Sequence, residues 1–293
     1  MLPRSPEDFA IYAAPALFVV LWASGFIGAK FGLPYIEPLT FLMIRMIVVV
    51  SLLAILALAT RPPWPGISGA GHSVITGLLV HGAYLGGVFV AIDRRLPAGL
   101  SALVVGLQPV LTSTIANRFL GEKVIARQWL GLALGIAGVY LVVADKTVAG
   151  EATLLGWVAA VVALVGITLG TLYQKRHGAR IDWRAALIIQ YSSAGALFAL
   201  GSFLFETRRI VWTVELIAAL AWLVFVLSLG AVWLLFFLIR HAAATRVTSL
   251  FYLTPPVTAL MAWMMFGEHL GAFALVGMAL CAVGVFLVNW QGR

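Results

Sequence analysis

Apolar stretches long enough to cross a bilayer recur along almost the whole chain, separated only by short polar turns. A helix that spans a hydrocarbon core of about 30 Å needs about 20 apolar residues. Breaking the apolar runs at charges, prolines and glycines predicts ten such spans, starting near Phe9, Leu39, Ser73, Gly99, Gln128, Leu154, Ala185, Leu216, Val247 and Ala272. Within 293 residues this leaves short connections and no soluble domain. The composition agrees: 62% of residues are hydrophobic and 10% charged, against about 45–50% and about 25% in soluble domains. A cytosolic enzyme, a disordered chain and a disulfide scaffold are excluded. The expected fold class is all-α integral membrane protein.

The net charge of +8 would suggest nucleic acid in a soluble protein, but here the basic residues lie between apolar runs, where they set orientation. Arg118, Lys123, Arg127, Lys175, Arg176, Arg180 and Arg184 crowd the loops of one side. The other side has only Lys30, Arg94, Arg95, Lys146, Arg208 and Arg209. This bias predicts a multi-pass protein with both termini cytoplasmic, and no nucleic-acid partner. Glu7 and Asp8 make the N-terminus unlike the basic start of a cleaved signal peptide, so the first helix is expected to stay. The single cysteine, Cys281, cannot form an internal disulfide. No Cys/His cluster has ligand spacing, so neither a metal nor a cofactor is expected.

An internal repeat appears when residues 109–142 are laid on 255–288. Pro109 matches Pro255, Thr112 matches Thr258, Gly121-Glu122 matches Gly267-Glu268, Gly131 matches Gly277, and Gly138-Val139 matches Gly284-Val285. One residue out of that register, Gly25 meets Gly170, Lys30 meets Lys175, Leu42 meets Leu187, and Arg45 meets Gln190. The halves are therefore residues 1–146 and 147–293, with five spans each. Five is odd, so the second half enters the membrane inverted, as in transporters that alternate between two nearly equivalent states around a midplane site. The plainer alternative is that duplication builds only a larger bundle.

Trp22-Ala-Ser-Gly-Phe26 ending at Lys30, Pro38 with Arg45 seven residues later, and the twice-occurring Pro/Gly-Glu/Gly-Val block resemble the drug/metabolite transporter superfamily. The chain is similar over nearly its whole length to the ten-helix EamA-type branch, which contains exporters of amino acids and other metabolites. The resemblance implies two inverted five-helix repeats. The aromatic content further resembles that of bacterial aromatic amino acid exporters. Gln190, standing where the first repeat has Arg45, departs from the pattern and shows that a charge is not needed in both halves.

All 11 acids fall at span ends or in loops. An exporter of organic cations uses a buried carboxylate to hold the cation or a proton, so cationic drugs are disfavoured and uncoupled transport becomes a candidate. His81 is the one deeply placed group that titrates near neutral pH. His81 and Tyr84 share a helix face, and Trp22 offers a further aromatic wall. Trp233 and Phe237, four residues apart, present surfaces that can stack on a planar substrate or simply meet lipid. Pro109 and Pro255-Pro256, expected in the middles of the fourth and ninth spans, free backbone carbonyls at membrane depth. Gln108, Thr112, Tyr252 and Thr254 supply polar groups nearby; each threonine can equally bond its own helix. Arg45, two turns inside its span, needs a partner, which can be a substrate carboxylate or freed helix carbonyls. Lys30 and Lys175 are read as snorkelling anchors.

The small-residue spacings Gly82-xxx-Gly86 and Gly131-xxx-Gly135 serve close packing, internal or between copies, so a monomer or weak homodimer is expected. Together these residues predict a small-molecule exporter in the lipid bilayer, carrying neutral or zwitterionic metabolites, foremost bulky or aromatic amino acids, by alternating access. Its substrate site is expected at Trp22, His81, Tyr84, Gln108, Thr112, Trp233, Phe237, Tyr252 and Thr254. The alternatives are a multidrug or nucleobase exporter of the same superfamily and a membrane enzyme, for which the chain offers no nucleophile, base or ligand motif.

Overall fold

The computed structural model describes residues 6–96, parts of 101–115, and residues 125–144, 153–179, 181–241, 247, 249–266 and 272–289. The helices are α1 (Pro6–Gly32), α2 (Pro38–Thr60), α3 (Ile67–Asp93), α4 (Ala126–Ala144), α5 (Leu154–His177), α6 (Trp183–Phe205), α7 (Val214–Arg240), α8 (Thr254–Phe266) and α9 (Ala272–Asn289). Among the described residues six helices are long and apolar enough to cross a membrane, namely α2, α3, α5, α6, α7 and the stretch Ala13–Tyr35 that includes most of α1. The number ten is therefore not established. The span expected from near Gly99 lies largely outside the described residues.

Local chemistry starts three helices of the second half. Thr153, Asp182 and Thr213 each accept a hydrogen bond from a first-turn backbone N–H, those of Gly156, Arg184 and Leu216, which satisfies donors that the helix leaves unpaired.

The prolines act differently from expectation. Pro255 and Pro256 do not kink a continuous helix; they begin α8, directly after a 3-10 turn at Leu250–Leu253. Proline in a first turn sacrifices no helical hydrogen bond. The first repeat breaks in the same way, since Leu107 N–H donates to the Val104 carbonyl (3.1 Å) just ahead of Gln108-Pro109.

A second shared irregularity went unread in the sequence. α3 contains a π-helical stretch, Gly77–Ala83, and α7 contains another, Leu223–Ala231. They begin at the spacing that relates Pro109 to Pro255. A π turn widens the helix and misaligns backbone bonds, and such turns recur at functional sites.

Equivalent helices pack antiparallel. Along α2 and α6, Leu39 lies against Gly201 and Met46 against Gly195. Along α4 and α9, Gly131 lies against Gly284 and Gly138 against Gly277, so close that an added Cβ would come within 2.6–2.7 Å of the facing carbonyl at three of the four glycines. Bare backbones in contact are how apolar helices associate where burial from water supplies no driving force. Further contacts are exchanged between halves. α1 leans on the π stretch of α7, Gly25 receiving Leu227, and α5 leans on that of α3, Gly170 receiving Val80.

One face is tied across the halves. Glu206 accepts from Leu39 N–H and Thr40 N–H, both 2.7 Å, and from the Thr40 hydroxyl, 2.7 Å, and so caps α2 from the far end of α6. Glu37 reciprocates, accepting from the N–H and hydroxyl of Thr207 and the N–H of Arg209. Partial burial pushes the Glu37 carboxyl up, but these bonds outweigh it and hold it below the usual carboxylate value.

Candidate functional site

The two π stretches, with α1 and α2, bound a cavity lined by Trp22, Phe26, Arg45, His81, Tyr84 and Leu227, among others. About 40 Å³ is open to water-sized molecules, room for a few waters and too little for a bulky amino acid, which requires the helices to separate. The walls come from both halves: α1, α2 and α3 from the first, α7 from the second.

Trp22 and Tyr84 form an aromatic plate. Their rings stack at 5.9 Å with planes 11° apart, and the indole N–H of Trp22 donates to the Tyr84 hydroxyl at 3.1 Å. Phe251 meets Trp22 edge-on at 5.3 Å and closes the plate from behind. On the other side His81 stacks on Tyr191, 4.3 Å between centroids. His81 is buried and its Nε2 has no partner.

Arg45 is 3% exposed. Its Nε donates to the Ser228 hydroxyl at 2.9 Å, and the Tyr191 hydroxyl donates to the Ser228 carbonyl at 2.7 Å. Ser228 lies in the π stretch of α7, so α6 bonds a backbone carbonyl of the widened turn through Tyr191, while α2 bonds the side-chain hydroxyl of the same residue through Arg45. Tyr191→Phe keeps the ring on His81 and removes only that bond. Its expected cost is about 1 kcal/mol, the usual size of an interhelical polar contact in a membrane, read as a lower midpoint of thermal unfolding in detergent.

Of the residues singled out from the sequence, the structure brings Trp22, His81 and Tyr84 together with Arg45. Gln108 is not among the residues that line the cavity; it is buried against α5, its Nε2 donating to the Thr171 hydroxyl at 3.4 Å with Oε1 unpartnered. Thr112 and Thr254 are buried, and their hydroxyls lack partners. Tyr252 does not reach the cavity: its ring packs among Leu132, Cys281 and Val288, against Gly135. Trp233 and Phe237 stack on each other at 5.7 Å, but Trp233 is 39% exposed. Trp233 lines a separate apolar crevice with Trp183, Leu52, Leu53, Leu56 and Leu229. Lys175 donates to the Ile239 carbonyl at 2.8 Å and so ties α5 to α7; the side chain of Lys30 lies outside the described residues.

Tyr191 and Ser228 were missed. Ser228 is the only hydroxyl between Leu216 and Ile239, next to Leu227, the repeat mate of His81, and Tyr191 follows Gln190, the mate of Arg45. The signal was an isolated polar group beside a repeat-related position.

Two related halves of apolar helices around a shared interior cavity define a membrane transport protein. The EamA-like transporter family matches the chain twice, over residues 9–144 and 154–290, and the chain belongs to that family, within the drug/metabolite transporter superfamily. It is 31% identical to an uncharacterized transporter of Bacillus subtilis, YvbV, over 95% of this chain and 91% of that one. It is 26% identical to the "Probable amino-acid metabolite efflux pump" of Escherichia coli, over 92% of each chain. A protein of known crystal structure superposes with a TM-score of 0.78 at 18% identity, covering 94% of this chain and 95% of the other, which is a likeness of fold.

Proposed function

We propose that the protein exports small neutral or zwitterionic metabolites, foremost bulky or aromatic amino acids, from the bacterial cytoplasm across the inner membrane. The observation that carries this reading is the cavity between the halves, where the stacked Trp22–Tyr84 pair faces a buried polar edge of His81 and Arg45. An aromatic plate offers a planar side chain a stacking surface, and the polar edge suits charged groups drawn out of water. The similarity to an amino-acid metabolite efflux pump supports the same substrate class.

The proposed architecture is ten helices in two inverted repeats, residues 1–146 and 147–293, with both termini cytoplasmic. The antiparallel packing of α2 on α6 and of α4 on α9 supports it. Transport proceeds by rocking the halves about these contacts, opening the cavity to one face and then the other. Of the nine site residues, Trp22, His81 and Tyr84 are proposed to touch substrate first. Gln108, Thr112 and Thr254 are proposed to do so once the cavity widens. Tyr252, Trp233 and Phe237 are proposed to act from outside it. No cofactor is needed, and the protein works as a monomer or weak homodimer.

Proteoliposomes containing the purified protein test this. Saturable uptake of labelled phenylalanine, competed by unlabelled aromatic amino acids and present with or without a pH gradient, is the expected result. Competition by nucleobases or organic cations, with none by amino acids, moves the substrate to another class.

A further inference from the structure

Arg45 is a permanent cation placed deep in an apolar helix, and this has an energetic consequence. A central arginine costs about 2.5–3.5 kcal/mol to insert, and a buried charge is retained when something of opposite sign meets it. Among the described residues no carboxylate lies within ion-pair distance of Arg45. Its Nε is used on Ser228, which is neutral. Guanidinium has five N–H donors in a planar fork, and a single bond to a serine leaves the forked end available to the cavity that Arg45 lines.

The surroundings narrow what can meet it. His81, one turn of α3 ahead of Tyr84, lines the same cavity and keeps an unpartnered Nε2 at 1% exposure. Gln190, the repeat mate of Arg45, is neutral and gives its Nε2 to Gln174 at 3.3 Å. The lining therefore combines one cation, Arg45, with one aromatic pair, Trp22 and Tyr84, and the inverted repeat does not duplicate the charge. A ligand with one carboxylate and one apolar body matches both, because a bidentate carboxylate fits the arginine fork while its ring meets the plate.

We propose that Arg45 is the carboxylate-reading residue of this site, held in register by Ser228, and that the transported class is therefore defined by a free carboxylate on a bulky apolar or aromatic body. This rests on the reading of the cavity as the substrate site. The α-ammonium is not what the cavity selects: among the described residues no acid lines it, and His81 offers a hydrogen bond without a fixed charge.

The test is binding to the purified full-length protein in detergent, by calorimetry, with 3-phenylpropionate and its uncharged amide as probes. The wild type is expected to bind the acid at least about tenfold more tightly than the amide, a difference expected for one charge-assisted pair. In Arg45→Gln the preference disappears; in Arg45→Lys, which keeps the charge and loses the fork, part of it stays. Arg45→Lys carries the test if Arg45→Gln fails to fold. Equal binding of acid and amide by the wild type, binding of neither, or undiminished preference for the acid in Arg45→Gln overturns the proposal. Phenylalanine uptake is measured separately, so an amino acid carrier that ignores the carboxylate is distinguishable from a protein that carries no amino acid.

Discussion

Gly87→Leu is expected to abolish recovery of folded protein, while Gly71→Ala leaves stability unchanged or raises it. A Cβ at Gly87 would stand 2.5 Å from the Ala159 carbonyl oxygen and 2.9 Å from the Ala163 Cβ and N. Two of these obstacles are backbone atoms of α5, which cannot swing aside as a flexible side chain can. Relief requires α3 and α5 to move apart along a contact where both helices use small residues, Gly87 facing Ala159 and Ala163. Overpacking by single methylenes costs about 1–3 kcal/mol, and leucine adds several groups at a point where even one collides. The same movement would displace the adjacent π stretch that carries His81.

Gly71 provides the control because it is helical, exposed and has nothing within 4 Å of an added Cβ; alanine there gains up to about 1 kcal/mol of helix propensity. Fluorescence-detected size exclusion and thermal unfolding of the two variants decide the matter. A monodisperse Gly87→Leu with wild-type stability would show that α3 and α5 are not in this contact.

Glu206→Ala is expected to loosen the face that carries Glu37 and Glu206. The carboxylate ties the first turn of α2 to the end of α6 through three bonds of 2.7 Å, and a hydrogen bond to a charged group is worth about 1.5–3 kcal/mol. Loss of one such increment moves a two-state equilibrium roughly ten- to a hundredfold. A reporter cysteine at Ala29, which lines the cavity and is 1% exposed, placed in a Cys281→Ala background, reads the opening. Its labelling by a membrane-impermeant maleimide should accelerate in Glu206→Ala and less in Glu206→Gln, which keeps one acceptor. An unchanged rate would reduce the clamp to a helix cap.

Glu37 adds a pH dependence whose sign follows from its lowered value. A carboxyl held below its ordinary value of about 4.5 stabilises the bonded arrangement fully above that value. The contribution is lost as pH falls through the depressed value. Divided by the labelling rate of the same cysteine in the denatured protein at each pH, which removes the fall in thiolate on acidification, labelling of the reporter should therefore be flat from neutral pH down to the ordinary carboxylate range and rise only below it.

The apolar runs, the basic loops and the repeat made the membrane class and the twofold construction legible, because bilayer thickness sets span length and a duplicated helix keeps its glycines where backbones touch. Gly131 and Gly277 matched in sequence for the reason that the structure displays: each faces the other pair's partner, Gly284 or Gly138, and at Gly131, Gly138 and Gly284 there is no room for a side chain. His81, Tyr84 and Trp22 were legible as polar or amphipathic groups in apolar walls. The π stretches were not, since a widened turn depends on what fills it from neighbouring helices and leaves no local signature in Gly77–Ala83 or Leu223–Ala231.

Placement of the aromatics was likewise decided only in three dimensions. Trp233 and Phe237 have the spacing of a stacking wall and form one, but the rotation of α7 turns Trp233 outward into a crevice with Trp183. A helix of apolar residues on every side carries no amphipathic stripe to set that rotation. Arg45 marks the same division. Its cost inside a span announced in the sequence that it must have a partner; only packing determined that the protein itself supplies Ser228, a neutral hydroxyl from the opposite half, and leaves the charge facing the cavity.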